Sequence, residues 1–263
     1  MVKIRNLTLG YGSDPVLEGA SLDVESGDFV SLVGPSGSGK TSLLRAITGL
    51  HQPDAGSVSR AVDSQEIGFL FQDDALLPWR SVRHNVALGL LARGDSKGAA
   101  YATADTWLER FGLSGLGDRF PSRLSGGQRK RVALAQVLAR EPRLLLMDEP
   151  FASLDAIVRH RITGDLLSWV EREHLTVLLV THDLEEAITM SDVVYLLSNG
   201  PHAHIRERYE IALPRPRDPV ETRADPAFGP LYERVWHDLA REVGIESASP
   251  DRARLRHEEG VAV

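Results

Sequence analysis

The sequence predicts an α/β fold built on a mostly parallel β-sheet. Short apolar runs at residues 29–33, 144–147, 176–180 and 193–197 are typical of strands that are buried on both faces. Helical segments separate several of these runs, and repeated strand–helix–strand units favour a parallel sheet. The chain has 263 residues, of which 42% are hydrophobic and 25% charged. It can therefore bury the core of one large domain or two small ones.

The first predicted elements follow from the spacing of apolar residues. Residues 2–9 have the spacing of a half-buried strand that ends at a glycine turn, and residues 22–24 indicate a second strand. The buried strand at 29–33 runs into a glycine-rich loop and then into a helix over 42–47. Residues 67–71 are predicted to form a further strand.

A helical stretch interrupts the alternation of strands and helices in the middle of the chain. Residues from about 82 to 124 are mostly helical in pattern, with glycines between the segments, and a helix over 129–140 follows. We therefore predict an inserted helical subdomain at about 82–135.

The C-terminal part has a different composition. An acidic helix over 184–190 lies between the last two buried strands, and Arg- and Pro-rich sequence begins after about residue 205. We predict a C-terminal extension at 206–246 with one helix over 231–243, which either packs on the main domain or makes a regulatory contact. The polar residues 247–263 are predicted to be disordered.

Composition excludes several classes of function. A formal net charge of -7 argues against a nucleic-acid binder, which needs a basic face, and the lack of cysteine excludes disulfides and cysteine-ligated metals. No segment approaches the roughly 18 consecutive apolar residues that a membrane-spanning helix needs, and the N-terminus lacks the apolar run of a secretory signal. We expect a cytoplasmic chain that works at a membrane only when a partner holds it there.

A glycine-rich loop predicts a nucleotide site. Residues 34–41, here called the phosphate loop, satisfy the pattern G-x-x-x-x-G-K-[ST] between a buried strand and a helix. Glycines let backbone N–H groups converge on phosphate oxygens, and the helix start adds the positive end of its dipole. Lys40 is predicted to reach the β- and γ-phosphates of ATP, and the Thr41 hydroxyl to bind Mg²⁺. The predicted binding residues are Gly34, Pro35, Ser36, Gly37, Ser38, Gly39, Lys40 and Thr41.

Two carboxylates follow the buried strand at 144–147. Open α/β sheets bind ligands at the carboxyl ends of their strands, so Asp148 and Glu149 are placed to face the nucleotide. We predict that Asp148 holds Mg²⁺, directly or through water, and that Glu149 is the general base toward the attacking water. A solvated acidic turn is the alternative for this pair.

Two further positions have both a structural and a functional interpretation. His182 follows another apolar strand, so it is either a structural histidine or a contact for the γ-phosphate or for water. Ser125 is a good N-cap for the helix near residue 129, and the two glycines after it expose backbone N–H groups suited to an anion. Ordinary helix capping is the alternative there.

With these motifs assembled, the chain resembles the ATP-binding subunits of ATP-binding-cassette (ABC) transporters over roughly residues 3–200. The phosphate loop is similar to their Walker A motif and residues 146–149 to the end of their Walker B strand, while residues 124–128 match the LSGGQ signature letter for letter. Residues 153–155 match the D-loop. The resemblance implies an α/β P-loop NTPase fold of the ABC ATPase type, with an antiparallel β subdomain and a helical subdomain, spanning residues 3–205.

The resemblance also implies roles for single residues. Glu149, His182 and Gln72 would be catalytic, and Tyr11 would stack on adenine. Gln72 would contact water or, together with Thr41 and Asp148, Mg²⁺. From the residues alone, a polar strand end remains open for Gln72, and a turn aromatic packed on the sheet for Tyr11. Two subunits would pair head to tail, each signature contacting the ATP held by the other. The residues assigned to that contact are Ser125, Gly126, Gly127, Gln128 and Asp155.

The segment after Gln72 indicates a branch of the family. Its Leu-Leu-Pro-Trp run at residues 76–79 is similar to the nitrate/sulfonate/taurine importers. That likeness implies two transmembrane permease subunits and an indirect partner, a periplasmic or surface solute-binding protein. The chain would then be peripheral, at the cytoplasmic face of the inner membrane. This segment contains either core residues or a docking surface for a permease helix, formed by Leu76, Leu77 and Trp79.

The sequence leaves alternatives open for the transported solute and for the functional class of the ATPase. Taurine or another aliphatic sulfonate is the preferred cargo, and nitrate or a pyrimidine precursor of thiamine remains open. The other classes are an ATP-driven cassette without transport and a cassette that serves an exporter. Neither a long coiled-coil insert nor a second cassette, which are typical of the first class, occurs in this sequence.

Overall fold

The elements of this chain alternate between strands and helices for most of its length. The structure, a computed structural model, describes residues 1–12, 14–152 and 154–245. The predicted disorder at 247–263 and the D-loop residue Ser153 lie outside these ranges. The strands are β1 (Val2–Gly10), β2 (Pro15–Val24), β3 (Phe29–Val33), β4 (Ala55–Arg60), β5 (Ile67–Leu70), β6 (Leu144–Asp148), β7 (Thr176–Val180), β8 (Val193–Leu197) and β9 (Ile205–Glu210). The α-helices are α1 (Lys40–Thr48), α2 (Val82–Arg93), α3 (Lys97–Arg110), α4 (Gly126–Leu138), α5 (Ala156–Glu173), α6 (Leu184–Met190), α7 (Glu221–Ala224) and α8 (Phe228–Glu242).

The main sheet has six strands in the order β5-β6-β7-β3-β8-β9. The first five are parallel to one another, and β9 pairs antiparallel with β8. Every residue of β3, β6, β7 and β8 is buried, as expected for parallel strands covered on both faces. The predicted parallel sheet is confirmed, and it brings the ends of β3, β6 and β7 side by side.

A second, antiparallel sheet of three strands has the order β2-β1-β4. Its apolar face shares one hydrophobic cluster with α1 and one face of the main sheet, including Ile4, Leu22, Leu43 and Leu178. This is the antiparallel β subdomain that the family resemblance implies. It supports the start of α1, where the phosphate loop ends.

Helices α2 to α5 cover the other face of the main sheet and share a second cluster with it. Helix α4 was predicted at 129–140, but it begins at Gly126 and ends at Leu138. The earlier start follows from Ser125, whose side chain accepts a hydrogen bond from Gln128 N and caps the first turn. The earlier end follows from Pro142, because a residue before proline disfavours the helical region, and Glu141 has a φ of 53°. The predicted helical range 82–135 therefore ends inside α4.

Four elements have no counterpart in the sequence predictions. One of them is the short helix α7 (Glu221–Ala224), so the C-terminal extension, for which one helix was predicted, contains two. Strand β4 is mostly exposed, so it lacks an apolar pattern. Helix α5 begins after Asp155, its N-cap, and buries Ile162, Leu166 and Val170 at helical spacing. Strand β9 extends the main sheet to Glu210, so the predicted boundary at 205/206 falls inside a strand.

The C-terminal helix packs on the main domain. Helix α8 runs from Phe228 to Glu242, where 231–243 was predicted. Val235 is buried in a cluster with Leu184 and Leu196, and Leu231 and Leu239 pack against it. In the ranges described above, no helix combines the length and apolar character needed to cross a bilayer.

Candidate nucleotide-binding site

The phosphate loop joins the end of β3 to the start of α1. Gly39 has a φ of 86°, and a Cβ there would lie 3.2 Å from Val16 Cγ1. A Cβ on Gly34 would lie 2.9 Å from the Cβ of Leu197. Since both positions lack room for a side chain, the loop folds back tightly over the end of the sheet and presents its backbone at the N-terminus of α1.

Lys40 is buried beneath this loop. Its ammonium donates hydrogen bonds to the Gly34 carbonyl at 2.8 Å and to the Pro35 carbonyl at 2.7 Å. Burial lowers the pKa of Lys40, and the carboxylates of Glu149 and Asp148 oppose that change. The lysine therefore sits between the loop and the acidic strand end, where an anionic phosphate would add to its stabilisation.

Thr41 and Asp148 face each other across the site. The Thr41 hydroxyl donates a hydrogen bond to Asp148 Oδ1 at 3.1 Å. Burial raises the pKa of Asp148, and the Thr41 hydrogen bond and the charges of Arg45 and Lys40 counteract this effect. A divalent cation at this position would neutralise both the Asp148 carboxylate and the charge of a bound phosphate.

The donor set fits Mg²⁺. Hydroxyl and carboxylate oxygens are the hard ligands that Mg²⁺ prefers, and it usually keeps waters and substrate phosphates as its other ligands. Within the described residues no cluster of three or more His, Asp or Glu side chains forms a metal cage. The pair Thr41 and Asp148 therefore suits a cation that arrives with a phosphate.

Glu149 and His182 lie at the ends of the neighbouring strands β6 and β7. The Glu149 N–H donates to the Val180 carbonyl at 2.9 Å, and Glu149 has a φ of 47°, which is uncommon for a residue with a side chain. His182 Nδ1 and Glu149 Oε2 are 2.5 Å apart. The side chain of His182 is 66% exposed and that of Glu149 is 16% exposed, so the pair faces the open side of the site.

One cavity of about 580 Å³ gathers most of the predicted site residues. It places Tyr11 and Gln72 with the phosphate loop and the two strand ends. The Tyr11 hydroxyl lies 3.1 Å from Ser42 Oγ, and its ring meets His51 edge-on with centroids 4.7 Å apart. The predicted residues that line this nucleotide cavity are Tyr11, Ser36, Gly37, Gly39, Lys40, Thr41, Gln72, Asp148, Glu149 and His182. Three lining residues were not predicted: Val16, Ser42 and Val180.

The signature residues lie elsewhere. Ser125, Gly126, Gly127 and Gln128 do not line the nucleotide cavity, and neither does Asp155. Ser125 and Gln128 form a reciprocal capping box at the start of α4, which confirms the predicted N-cap. A Cβ on Gly127 would lie 2.5 Å from Val158 Cγ1, in the first turn of α5. Asp155 caps that helix by accepting a hydrogen bond from Val158 N at 2.9 Å.

Comparison with known proteins agrees with this arrangement. The sequence profile described as ABC transporter matches residues 17–152. The aliphatic sulfonates import ATP-binding protein SsuB 1 of Paracoccus denitrificans is 42% identical over 246 residues, which cover 94% of this chain and 95% of the relative. SsuB 2 of Rhodococcus jostii is 45% identical over 216 residues, with 82% and 85% covered. The sulfate/thiosulfate import ATP-binding protein CysA of Synechococcus elongatus is 43% identical over 222 residues, and the chain spans 63% of its length.

A solved structure shares the fold. The dimeric structure of the ATP-binding cassette MJ0796 in a post-hydrolysis state, bound to ADP and Pi, superposes with a TM-score of 0.72 at 30% identity. The match covers 80% of this chain and 99% of that one. The predicted P-loop fold of the ABC ATPase type and the predicted likeness to the sulfonate branch of importers are confirmed. Because the profile and relatives of nearly full length agree, this chain belongs to the ABC transporter family.

Proposed function

We propose that this chain is the ATP-hydrolysing, energy-coupling subunit of an importer for aliphatic sulfonates, taurine among them. The observation that carries the proposal is the single cavity in which the phosphate loop, the Thr41–Asp148 pair and the Glu149–His182 pair meet. The SsuB relatives support the choice of cargo.

The phosphate loop and Lys40 account for binding of the triphosphate. Backbone N–H groups at the start of α1 carry partial positive charge, and they favour an anion at that position. The Lys40 ammonium now donates to two loop carbonyls, at 2.8 and 2.7 Å. When it turns to the β- and γ-phosphates, it exchanges neutral acceptors for charged ones, which form stronger hydrogen bonds. Tyr11, exposed at the cavity edge, would stack on the adenine ring.

Mg²⁺ would be held by Thr41 and Asp148, with Gln72 as a third contact. When bound, the ion neutralises charge on the β- and γ-phosphates. Gln72 lines the same cavity as the other two residues, which supports this assignment. The buried position of Asp148 strengthens its attraction for a cation, because the local dielectric is low.

Glu149 and His182 account for hydrolysis. As general base, the Glu149 carboxylate would accept a proton from the water that attacks the γ-phosphate. His182 contacts that carboxylate at 2.5 Å, so it would orient the base and stabilise charge near the γ-phosphate. The left-handed φ of Glu149 aims its side chain into the cavity despite a backbone cost of about 1–3 kcal/mol.

A second copy of the chain would complete the site. Ser125, Gly126, Gly127 and Gln128 place backbone N–H groups at the positive end of α4, away from the chain's own cavity. In a head-to-tail pair these groups, with Asp155, would meet the γ-phosphate held by the partner. Hydrolysis would then remove the bridge that holds the pair closed. The dimeric cassette structure supports such pairing.

The permease subunits would dock beside Gln72. Trp79 is 69% exposed, while Leu76 packs partly against the core near α4. An exposed tryptophan on an anchored apolar segment suits a helix-in-groove contact. The chain would then lie at the cytoplasmic face of the inner membrane, and the solute-binding protein would act on it only through the permease.

The test is ATP hydrolysis in a complex reconstituted with its permease and solute-binding protein. Taurine and longer alkyl sulfonates are screened beside sulfate, nitrate and a pyrimidine, with the Lys40→Ala complex as the control for background hydrolysis. We expect sulfonates to stimulate turnover above the solute-free rate. Stimulation by sulfate alone, which the CysA relatives make the second candidate, would replace the sulfonate cargo. An absence of ATP hydrolysis would overturn the whole proposal.

A further inference from the structure

Lys130 is a fully buried cation on the signature helix. It lies in the second turn of α4, and its side chain is only 1% exposed. Its ammonium donates to the backbone carbonyl of Gln72 at 3.1 Å and lies 3.1 Å from Asp74 Oδ1. Lysine is rarely buried to this degree unless it is paired. The contact therefore joins α4 to the segment that follows strand β5.

The neighbouring arginine, Arg129, differs from Lys130 in two respects: its exposure and its lack of a contact with Gln72. Arg129 Nε lies 3.4 Å from the same Asp74 carboxylate, and Arg129 also donates to the Leu124 carbonyl at 2.9 Å. Arg129 is 41% exposed, and among the residues that the structure describes its side chain forms no hydrogen bond with Gln72. Two cations thus share Asp74, but it is Lys130 that reaches the backbone of Gln72.

The position of Gln72 explains why this contact matters. Gln72 follows β5 at the edge of the main sheet and lines the nucleotide cavity. Beyond it the chain turns, and Ala75 has a φ of 51°. A carbonyl held from α4 restricts the backbone of Gln72, and this in turn limits where the Gln72 side chain can lie. The same helix begins with the signature residues, so Lys130 links the signature region to the segment around Gln72.

We propose that Lys130 is a positioning residue for ATP hydrolysis. Its ammonium holds the Gln72 backbone so that the Gln72 side chain reaches the nucleotide cavity, and it couples that position to the signature helix. The inference rests on the proposed function, because Gln72 matters only if the cavity binds Mg²⁺ and ATP. Neutral replacement of a buried ion pair is often tolerated for stability, so stability and catalysis can be separated here.

The first test compares Lys130→Met with Lys97→Met in the full chain. Methionine is unbranched and only one heavy atom shorter than lysine, but it has no charge and no donor. Lys97 is an exposed lysine on α3. We expect Lys130→Met to lower kcat about tenfold and to raise the Mg²⁺ concentration for half-maximal rate, because removing a group that orients a metal ligand typically lowers metal affinity or activity about 10- to 100-fold. The dissociation constant for ATP should change little, because Lys40 and Tyr11 are untouched. An unchanged kcat, or equal losses of ATP binding and kcat, would overturn the inference.

The second test separates positioning from charge balance. In the double variant Lys130→Met with Asp74→Asn, the buried ammonium and the carboxylate that faces it are both replaced by neutral groups, so the double variant should be more stable than Lys130→Met alone, in which Asp74 keeps only its longer contact with the half-exposed Arg129. We expect kcat to stay low in this variant because the Gln72 carbonyl still lacks its donor. Recovery of kcat together with stability would show that Lys130 only balances charge, and the inference would be wrong. The wild-type rate is measured first, since a wild type without ATPase activity refutes the proposed function itself.

Discussion

The carboxyl group of Glu186 offers a quantitative test of the electrostatics close to His182. Glu186 lies on α6 and is 6% exposed. It accepts a hydrogen bond from the Thr181 hydroxyl at 2.9 Å, and Arg159 lies 3.7 Å away. Burial, with a contribution from the nearby Asp183 charge, raises the pKa of Glu186 from its ordinary value of 4.5 to about 7. We predict that Glu186→Gln stabilises the protein at alkaline pH.

The sign follows from proton linkage. Because the folded state binds this proton more tightly than the unfolded state, the wild type loses stability as the pH rises from about 4.5 to about 7, and the loss levels off above that range. One pKa unit corresponds to about 1.4 kcal/mol, so the full effect is about 3 kcal/mol. Glutamine imitates the protonated carboxyl and does not titrate. Between pH 5.5 and pH 8, the free energy of unfolding of Glu186→Gln should therefore rise by about 2 kcal/mol relative to wild type.

Urea-induced unfolding at the two pH values measures this difference. All other titrating groups are common to both proteins, so their effects cancel in the comparison. Glu185→Gln is the matched control, because Glu185 is exposed and its ion pair with Arg223, at 2.9 Å, lies at the surface, where such a pair contributes about 0–1 kcal/mol. A stability difference between Glu186→Gln and wild type that is the same at both pH values would refute the reasoning.

The remaining predictions concern the nucleotide cavity and the two contact surfaces. Lys40→Ala should abolish tight ATP binding in calorimetry; binding at wild-type strength would contradict the role given to its ammonium. Glu149→Gln should bind ATP but not hydrolyse it, and it should run as a dimer on a sizing column with ATP; a monomer there would count against the shared site. Gly127→Ala places a Cβ 2.5 Å from Val158 Cγ1 and should cost about 1–3 kcal/mol of stability, partly restored by Val158→Ala; equal stability would disprove the close packing. Trp79→Ala should leave unfolding within about 0.5 kcal/mol of wild type and yet reduce recovery with the permease; full recovery would exclude Trp79 from the docking surface.

Local sequence patterns were sufficient to predict the parts of the fold that depend on neighbours in the chain. The buried strands at 29–33 and 144–147 are uniformly apolar, and the phosphate loop has a spacing with few alternatives. Strand ends meet at one edge of a parallel sheet, so the closeness of Asp148 and Thr41 was predictable from their places after β6 and at the start of α1. The capping role of Ser125 needed only the residues that follow it.

Contacts between distant segments were not predictable in this way. Lys130 donates to a carbonyl 58 residues earlier in the chain, and its sequence context, between two arginines, is typical of an exposed helix face. Strand β4 is mostly exposed and owes its pairing to β1. Helix α5 could have been predicted, because Ile162, Leu166 and Val170 repeat at helical spacing.

The close packing of Gly127 on Val158 has a consequence for a paired assembly. Helix α5 starts only a few residues after Glu149, so a rearrangement of the chain at the reaction centre reaches the first turn of α5 over a short path. Because Gly127 has no side chain, the backbone at the start of α4 packs directly against that turn, and a displacement of α5 would shift α4 as well. In the proposed head-to-tail pair, the amides at the start of α4 would contact the opposite nucleotide, so the turnover of one ATP would affect the other through a rigid contact inside a single polypeptide. Alternation between the two sites would then be a mechanical property of each chain, and not only of the surface between them.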